Sequence, residues 1–260
     1  MVFEGLVIHK VPYKERDLIV KLILRNGLMG SFYIYGGQGG GKHHKPSQFD
    51  LGSMMKIMVK DQKSHKVDTS DLMVAQEYSR IWEAQFMRHN IQAYYLACLY
   101  FEIIQKFIQP FQIKDSDFIT DDNEGIFSVV SNALYYMNDA LEKKQFQAEQ
   151  HLNLFMVKLL FHLGIMPATD HCTYCNTDLM ESGGVTFLPA NGQFACLNCV
   201  TAENEKGLWL RMKKGYQTPY RDYAELTGTS FQEGDKLIQY FCHQFHLRPV
   251  ELKTYSLLLR

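Results

Sequence analysis

Two cysteine pairs, Cys172-Thr173-Tyr174-Cys175 and Cys196-Leu197-Asn198-Cys199, are the residues of this chain best suited to chemistry. A C-x-x-C turn can present two thiolates to one ion. The twenty residues between the inner cysteines are enough for a hairpin that returns the second pair to the first. That spacing predicts a tetrahedral, four-thiolate site for one zinc ion (Zn2+). Four protein ligands leave no position for water, so the predicted ion is structural rather than catalytic. Two disulfides, or one redox C-x-x-C, could use the same residues. The first ten residues hold an acid, Glu4, and no apolar signal core, so export is not expected. A reducing cytosol disfavours structural disulfides. A redox motif would need only one pair, on a strand–helix unit that is not evident here. Cys98 and Cys242 lie in apolar helical stretches and read as ordinary buried cysteines, and His171 reads as a surface histidine rather than a spare ligand.

A second candidate is the glycine-rich run Gly36-Gly37-Gln38-Gly39-Gly40-Gly41-Lys42-His43, which nearly matches the phosphate-loop pattern G-x-x-x-x-G-K-[ST]. His43 stands where the magnesium-binding hydroxyl belongs, and His44-Lys45-Pro46-Ser47 interrupts the place of the following helix. A nucleotide triphosphatase is therefore not expected. What remains is a loop carrying Lys42, His43, His44 and Lys45, able to follow an irregular phosphate backbone without fixed geometry. Lys14, Arg16, Lys21 and Arg25 flank Tyr13, and Phe32, Tyr33 and Tyr35 lead into the loop. Cations interleaved with aromatics supply both phosphate contacts and stacking faces for single strands. Many of these aromatics must fill a core, so none is singled out.

Charge is unevenly spread. Residues 1–66 carry eleven lysines and arginines against five acids, a net of +6; the remainder carries sixteen against twenty-three, a net of −7. A basic first quarter suggests a polyanion-facing module, and the acidic remainder suggests a module facing something else. The apolar fraction of 46% and charged fraction of 21% are those of an ordinary globular protein. No apolar run reaches spanning length, since even Leu152–Met166 is broken by Lys158 and His162, so no membrane role is expected.

The elements that must hold these residues change character near residue 80. Val2–Ile8, Leu18–Leu24 with its Asn26-Gly27 turn, Ser31–Tyr35 and Met54–Val59 read as strands, with Lys66–Glu77 as the fifth. They predict a small five-stranded barrel. Arg80–Gln109 reads as a long helix stopping before Pro110. Asp121, Asp122 and Glu124 open a second helix that Lys143-Lys144 closes, and Leu152–Leu163 forms the cleanest helical stripe. Helices resume near Gly207–Gly215 and Ser230–Phe245, and Leu252–Leu259 reads as a last one. The fold class expected is α+β: a barrel over residues 1–79, then a helical domain over 80–260 with a four-cysteine zinc knuckle inserted at about 170–202.

Taken in order along the chain, these pieces resemble RecO, a bacterial recombination and DNA-repair mediator family. Val11-Pro12-Tyr13-Lys14-Glu15-Arg16-Asp17 resembles its opening segment, and Leu18–Leu24 with Asn26-Gly27-Leu28 its next strand and turn. The basic glycine loop stands where the family carries a basic loop. Phe161–Pro167 followed by Cys172, Cys175 and Phe187–Cys199 is similar to its helix-to-knuckle passage, and Leu247–Thr254 to its closing segment. The resemblance implies an oligonucleotide-binding (OB) barrel, a helical domain and a zinc-ribbon-like insertion. It implies DNA-facing roles for Lys14, Arg16, Lys21, Arg25, Lys42 and Lys45. It also implies annealing of complementary strands and recombinase loading onto single strands covered by single-stranded-DNA-binding protein, with RecR as a partner. The expected location is the cytoplasm, at the nucleoid. This loop is richer in Gly and His than the family's usual Arg/Lys-rich version.

No nucleophile–base arrangement and no open metal cluster is evident, so an enzyme is not expected. Asp121-Asp122 is explained by helix capping and Asp115 with Asp117 by a loop. The competing readings are a zinc-containing nuclease or nucleic-acid-modifying enzyme, and a structural RNA-binding module.

Overall fold

The computed structural model describes residues 1–38, 48–59, 72–108, 110, 124–225 and 228–258. The chain divides into two compact units, Met1–Glu142 and Lys143–Arg260.

The first unit is built on a closed barrel of β1 (Val2–Tyr13), β2 (Asp17–Leu24), β3 (Met29–Ile34), β4 (Met54–Val59) and β5 (Leu72–Trp82). The strand order is β1-β2-β3-β5-β4, with β4 pairing back onto β1 and β3 running parallel to β5. That is the OB barrel the resemblance implied. The alternation of Leu18, Val20 and Leu22 with Asp17, Ile19 and Lys21 decides which face of β2 fills the barrel. Val7, Phe32, Ile34, Phe49, Met55 and Ile57 complete that core. Gly5 lets β1 close against its neighbour, because a β-carbon there would lie 2.5 Å from the carbonyl oxygen of Ile23. Lys14 adopts a left-handed backbone (φ 52°) in the three-residue turn that joins β1 to β2.

Two expected boundaries move. The first strand runs on past Ile8 to Tyr13, pairing with β2 from Gly5 to its end. The fifth runs from Leu72 to Trp82, past the expected end at Glu77, because Tyr78 and Ser79 also pair with β4, and Arg80 and Trp82 do so instead of opening the helix expected from Arg80. The part of the expected strand before Leu72 lies outside the described residues. A short 3-10 turn, Phe86–His89, then leads to α1 (Ile91–Gln105), which starts where the Asn90 side chain accepts the Ala93 N–H at 3.0 Å. α2 (Glu124–Glu142) completes the unit, while Asp115, Asp117, Asp121 and Asp122 lie outside the described residues.

The second unit centres on α3 (Ala148–His162). Its expected stripe proves to be an almost fully wrapped helix, with Gln150, His151 and Asn153 buried beside Leu152, Phe155 and Leu159. The two-stranded hairpin β6 (Val185–Leu188) and β7 (Gln193–Cys196) follows. It precedes α4 (Lys206–Gly215), α5 (Phe231–Gln244) and the single turn α6 (Tyr255–Leu258). The Ser230 hydroxyl caps α5 by accepting the Glu233 N–H at 3.3 Å. Among the described residues, no helix is long and apolar enough to cross a membrane.

Candidate nucleic-acid interface and metal centre

The four cysteines come together in the second unit. Their sulfur atoms all lie within 4.8 Å of one another, with Cys175 Sγ and Cys196 Sγ 3.6 Å apart. A tetrahedron of thiolates about 2.3 Å from a central ion has edges of about 3.8 Å, so the arrangement fits one such ion. None of the six cysteines is joined in a disulfide. The first pair sits on a tight turn in which Asn176 takes a left-handed backbone (φ 59°) and its N–H bonds the Cys172 carbonyl at 2.9 Å. The second pair begins on β7, whose Cys196 pairs with Val185 across the hairpin.

Backbone donors point into this cage. The Cys196 N–H donates to Cys172 Sγ at 3.3 Å. Burial pushes the Cys172 thiol up, but the N–H groups of Cys196, Cys175 and Tyr174 more than reverse this and hold it down to about 6. The Thr177 hydroxyl and N–H lower Cys175, whereas hydrogen bonds that the Cys199 thiol donates to Cys175 and Cys196 push Cys199 up to about 12. Four thiolates this close repel one another, and a bound cation is what lets all four ionise. His171 pairs with Asp178 in an isolated bridge outside the sulfur cluster.

The hairpin is locked to the body of its unit. The Glu205 carboxylate accepts the Phe187 N–H at 2.7 Å and the Thr186 hydroxyl at 3.1 Å, and pairs with Lys236. The Trp209 indole donates to the Thr169 carbonyl at 2.7 Å, just before the first cysteine pair. Phe187 stacks near Phe194 and edge-on to Tyr240, whose hydroxyl donates to the Ile165 carbonyl at 2.6 Å. An ion held by the four sulfurs would therefore close a knuckle that is already packed, as a structural site does.

The cationic residues of the barrel divide into groups. Lys14 and Arg16 are exposed in the β1–β2 turn. Lys21 is half-buried in the middle of the outer face of β2, between His9 and Ser31. Burial, then the Lys21 charge, lowers the His9 pKa, so His9 adds little positive charge near neutrality. Arg25 lies at the far end of β2, a strand about 23 Å long. It pairs with Glu4 at 2.8 Å, and its guanidinium stands 5.7 Å from the Phe127 ring of α2. Lys14 and Arg16 thus share the turn, Lys21 stands midway along the strand, and Arg25 lies at its other end beside Glu4 and Phe127. Lys42, His43, His44 and Lys45 lie outside the described residues.

The start of the glycine-rich loop is nonetheless tied to the cationic turn. Gln38 donates its backbone N–H to the Arg16 carbonyl at 3.0 Å and its side-chain amide to the Asp17 carbonyl at 2.8 Å. Asp17 accepts the Tyr33 hydroxyl and, at 2.9 Å, the Gly36 N–H. Around that carboxylate, Tyr13, Tyr33 and Tyr35 form a ring cluster with 5.6 and 4.7 Å between successive centroids. Sequence reasoning did not single out this cluster. The signal was available: residues 33 and 35 share one face of a strand, and a short turn after Tyr13 brings it onto the same side. The loops and strand face of an OB barrel where these residues sit are where that fold receives oligonucleotides.

Residues 88–254 fit the family model for the recombination protein O C-terminal region. A search of the curated proteins finds no match.

Proposed function

The chain belongs to the recombination protein O (RecO) family, a family of DNA recombination and repair, and from that premise we propose that it is a strand-annealing mediator. The barrel binds single- and double-stranded DNA through the phosphate backbone, without reading sequence. Lys14 and Arg16 supply contacts from the β1–β2 turn, Lys21 adds one from the outer face of β2, and Lys42, His43, His44 and Lys45 contribute from the glycine-rich loop. Neutralising the phosphates of two strands lowers their mutual repulsion, so that complementary bases can pair. No covalent step is needed, so the protein acts without being an enzyme.

The observation that carries this reading is the junction at Gln38 and Asp17. It draws the stem of the basic loop onto the turn that holds Lys14 and Arg16. The described start of the glycine-rich run, ending at Gln38, is thereby held against a cationic turn that lies far from it in sequence. The functional division falls near residue 80: residues 1–79 grip DNA, and residues 80–260 offer an acidic docking surface. RecR and single-stranded-DNA-binding protein are its partners, and the setting is the cytoplasmic nucleoid. The Cys172, Cys175, Cys196 and Cys199 cage holds one structural zinc ion, the borderline-soft cation that four thiolates in a tetrahedron favour.

The test is annealing of complementary single strands, with and without single-stranded-DNA-binding protein coating them. Acceleration in both cases supports the reading, and failure to accelerate bare strands contradicts it. The same strands incubated with magnesium report on the nuclease alternative through cleavage. Structured RNA that outcompetes single-stranded DNA would favour an RNA-binding module.

A further inference from the structure

The outer face of the barrel carries more than charge. Register sets Tyr13 opposite Asp17, and Val11 opposite Ile19, which in turn lies opposite Tyr33. Tyr33 neighbours Val74 on β5. Since Leu18, Val20 and Leu22 fill the barrel, the residues between them and their cross-strand partners face outward. Tyr13 is 43% exposed, Tyr35 66%, Val11 42% and Val74 39%, whereas Tyr33 between the two tyrosines is only 8% exposed. A barrel with a filled interior does not need an aromatic row on its outside in order to fold.

The three rings are also held. Tyr33 meets Tyr13 edge to face at 78° and Tyr35 at 75°. Asp17 fixes the Tyr33 hydroxyl, and through the Gly36 N–H it fixes the backbone just after Tyr35. A rigid aromatic platform loses little conformational entropy when a flat partner lands on it. Lys14 lies 5.4 Å from the Tyr13 ring centroid, and Arg16 and Lys21 share the surface. Glu15 and Asp17 offset two of these three positive charges, leaving a local net of +1. Exposed rings beside cations match one kind of partner: a polyanion with uncovered π faces, which is single-stranded nucleic acid.

We infer that Tyr13 and Tyr35 form a stacking platform for unpaired bases, with Tyr33 and Asp17 as its positioning residues. The inference rests on the DNA-binding reading above and deepens it. Backbone contacts alone treat single strands and duplexes alike, whereas a stacking platform does not, because a duplex keeps its base faces inside its own stack. The barrel therefore prefers single strands, and it holds that preference at salt concentrations that weaken the phosphate contacts.

The experiment measures binding of three probes: a homothymidine single strand, an abasic strand of the same length, and a duplex. The proteins are the wild type, Tyr13→Ala/Tyr35→Ala, and Tyr13→Phe/Tyr35→Phe. The alanine pair is expected to bind homothymidine roughly tenfold more weakly for each ring removed. Its salt slope, its abasic-strand affinity and its duplex affinity should stay as in wild type. The phenylalanine pair, which keeps the π faces, should bind homothymidine as wild type does. Homothymidine binding unchanged in the alanine pair overturns the stacking inference. Equal weakening for all three probes overturns it too, since the face would then serve the barrel's fold or a protein partner. Lys14→Gln/Arg16→Gln, run alongside, tests the underlying reading separately: a salt slope that does not move would contradict backbone binding itself.

Discussion

Asp17 binds the Tyr33 hydroxyl from one side of the β2–β3 hairpin and so ties the first barrel turn to the end of β3. The hydrogen bond from Tyr33, then that from Gly36, lowers the Asp17 pKa from 3.8. The same bond pushes Tyr33 from 10.0 to about 12. For Tyr33 the folded value lies above the unfolded one, so its contribution is complete below pH 10 and is lost as pH rises through about 12. For Asp17 the folded value lies below the unfolded one, so its contribution is present above pH 3.8 and is lost as the carboxylate protonates in stronger acid. Across neutral pH the tie is intact. Ultraviolet titration of wild type minus Tyr33→Phe should reveal one tyrosine ionising near 12, and Asp17→Asn should bring it back toward 10.

Lys14 and Arg16 should behave differently from Arg25. Removing one cation that neutralises a phosphate of a single strand lowers the slope of log affinity against log salt by about 0.7. Lys14→Gln and Arg16→Gln should each produce such a drop. Arg25→Gln should leave the slope alone and instead cost under about 1 kcal/mol of stability, because Arg25 serves Glu4 and Phe127. Salt titrations of binding and denaturant melts of the same variants check both halves.

Metal analysis by mass spectrometry should find one zinc per chain. Cys172→Ser and Cys196→Ser, which alter the two buried ligands, should lose the ion and lower the melting temperature. Cys98→Ser, outside the cluster, should keep it. A strong chelator should reproduce the cysteine variants' melting behaviour in wild type, and added zinc should reverse it.

Gly192 should tolerate no side chain. Its backbone is left-handed (φ 62°), and a β-carbon would lie 2.3 Å from the Tyr240 ring. Gly192→Ala should cost about 2 kcal/mol or more, combining backbone strain with displacement of Tyr240. Tyr240→Ala in the same background should recover the steric part, a coupling that a double-mutant cycle reads directly.

Much of this architecture is written in local patterns. The alternation in Leu18–Leu24 and the Asn26-Gly27 turn mark one barrel strand, and the cysteine spacing marks the sulfur cage without any knowledge of the fold. Non-local pairing was harder to read. Arg80–Trp82 looks helical in isolation because the apolar and aromatic stretch it opens continues into α1, yet β4 captures it as strand. The tyrosine platform was hidden for a related reason. Tyr13 is twenty residues from Tyr33, and only the hairpin register places them 5.6 Å apart. Arg25 reads in sequence like the other cations of the barrel, and only the structure shows Glu4 and Phe127 beside it.

The central claim, a cationic barrel end that grips DNA phosphates, meets its most direct test in fluorescence anisotropy of a labelled single strand over a salt series. Wild type should bind at low ionic strength, with log affinity falling linearly against log salt. The variant with Lys14, Arg16, Lys42 and Lys45 all changed to Gln should bind weakly, with a slope about 3 smaller. Folded wild-type protein that leaves the strand unbound at low salt would contradict the account, as would a four-fold variant that binds with the wild-type slope.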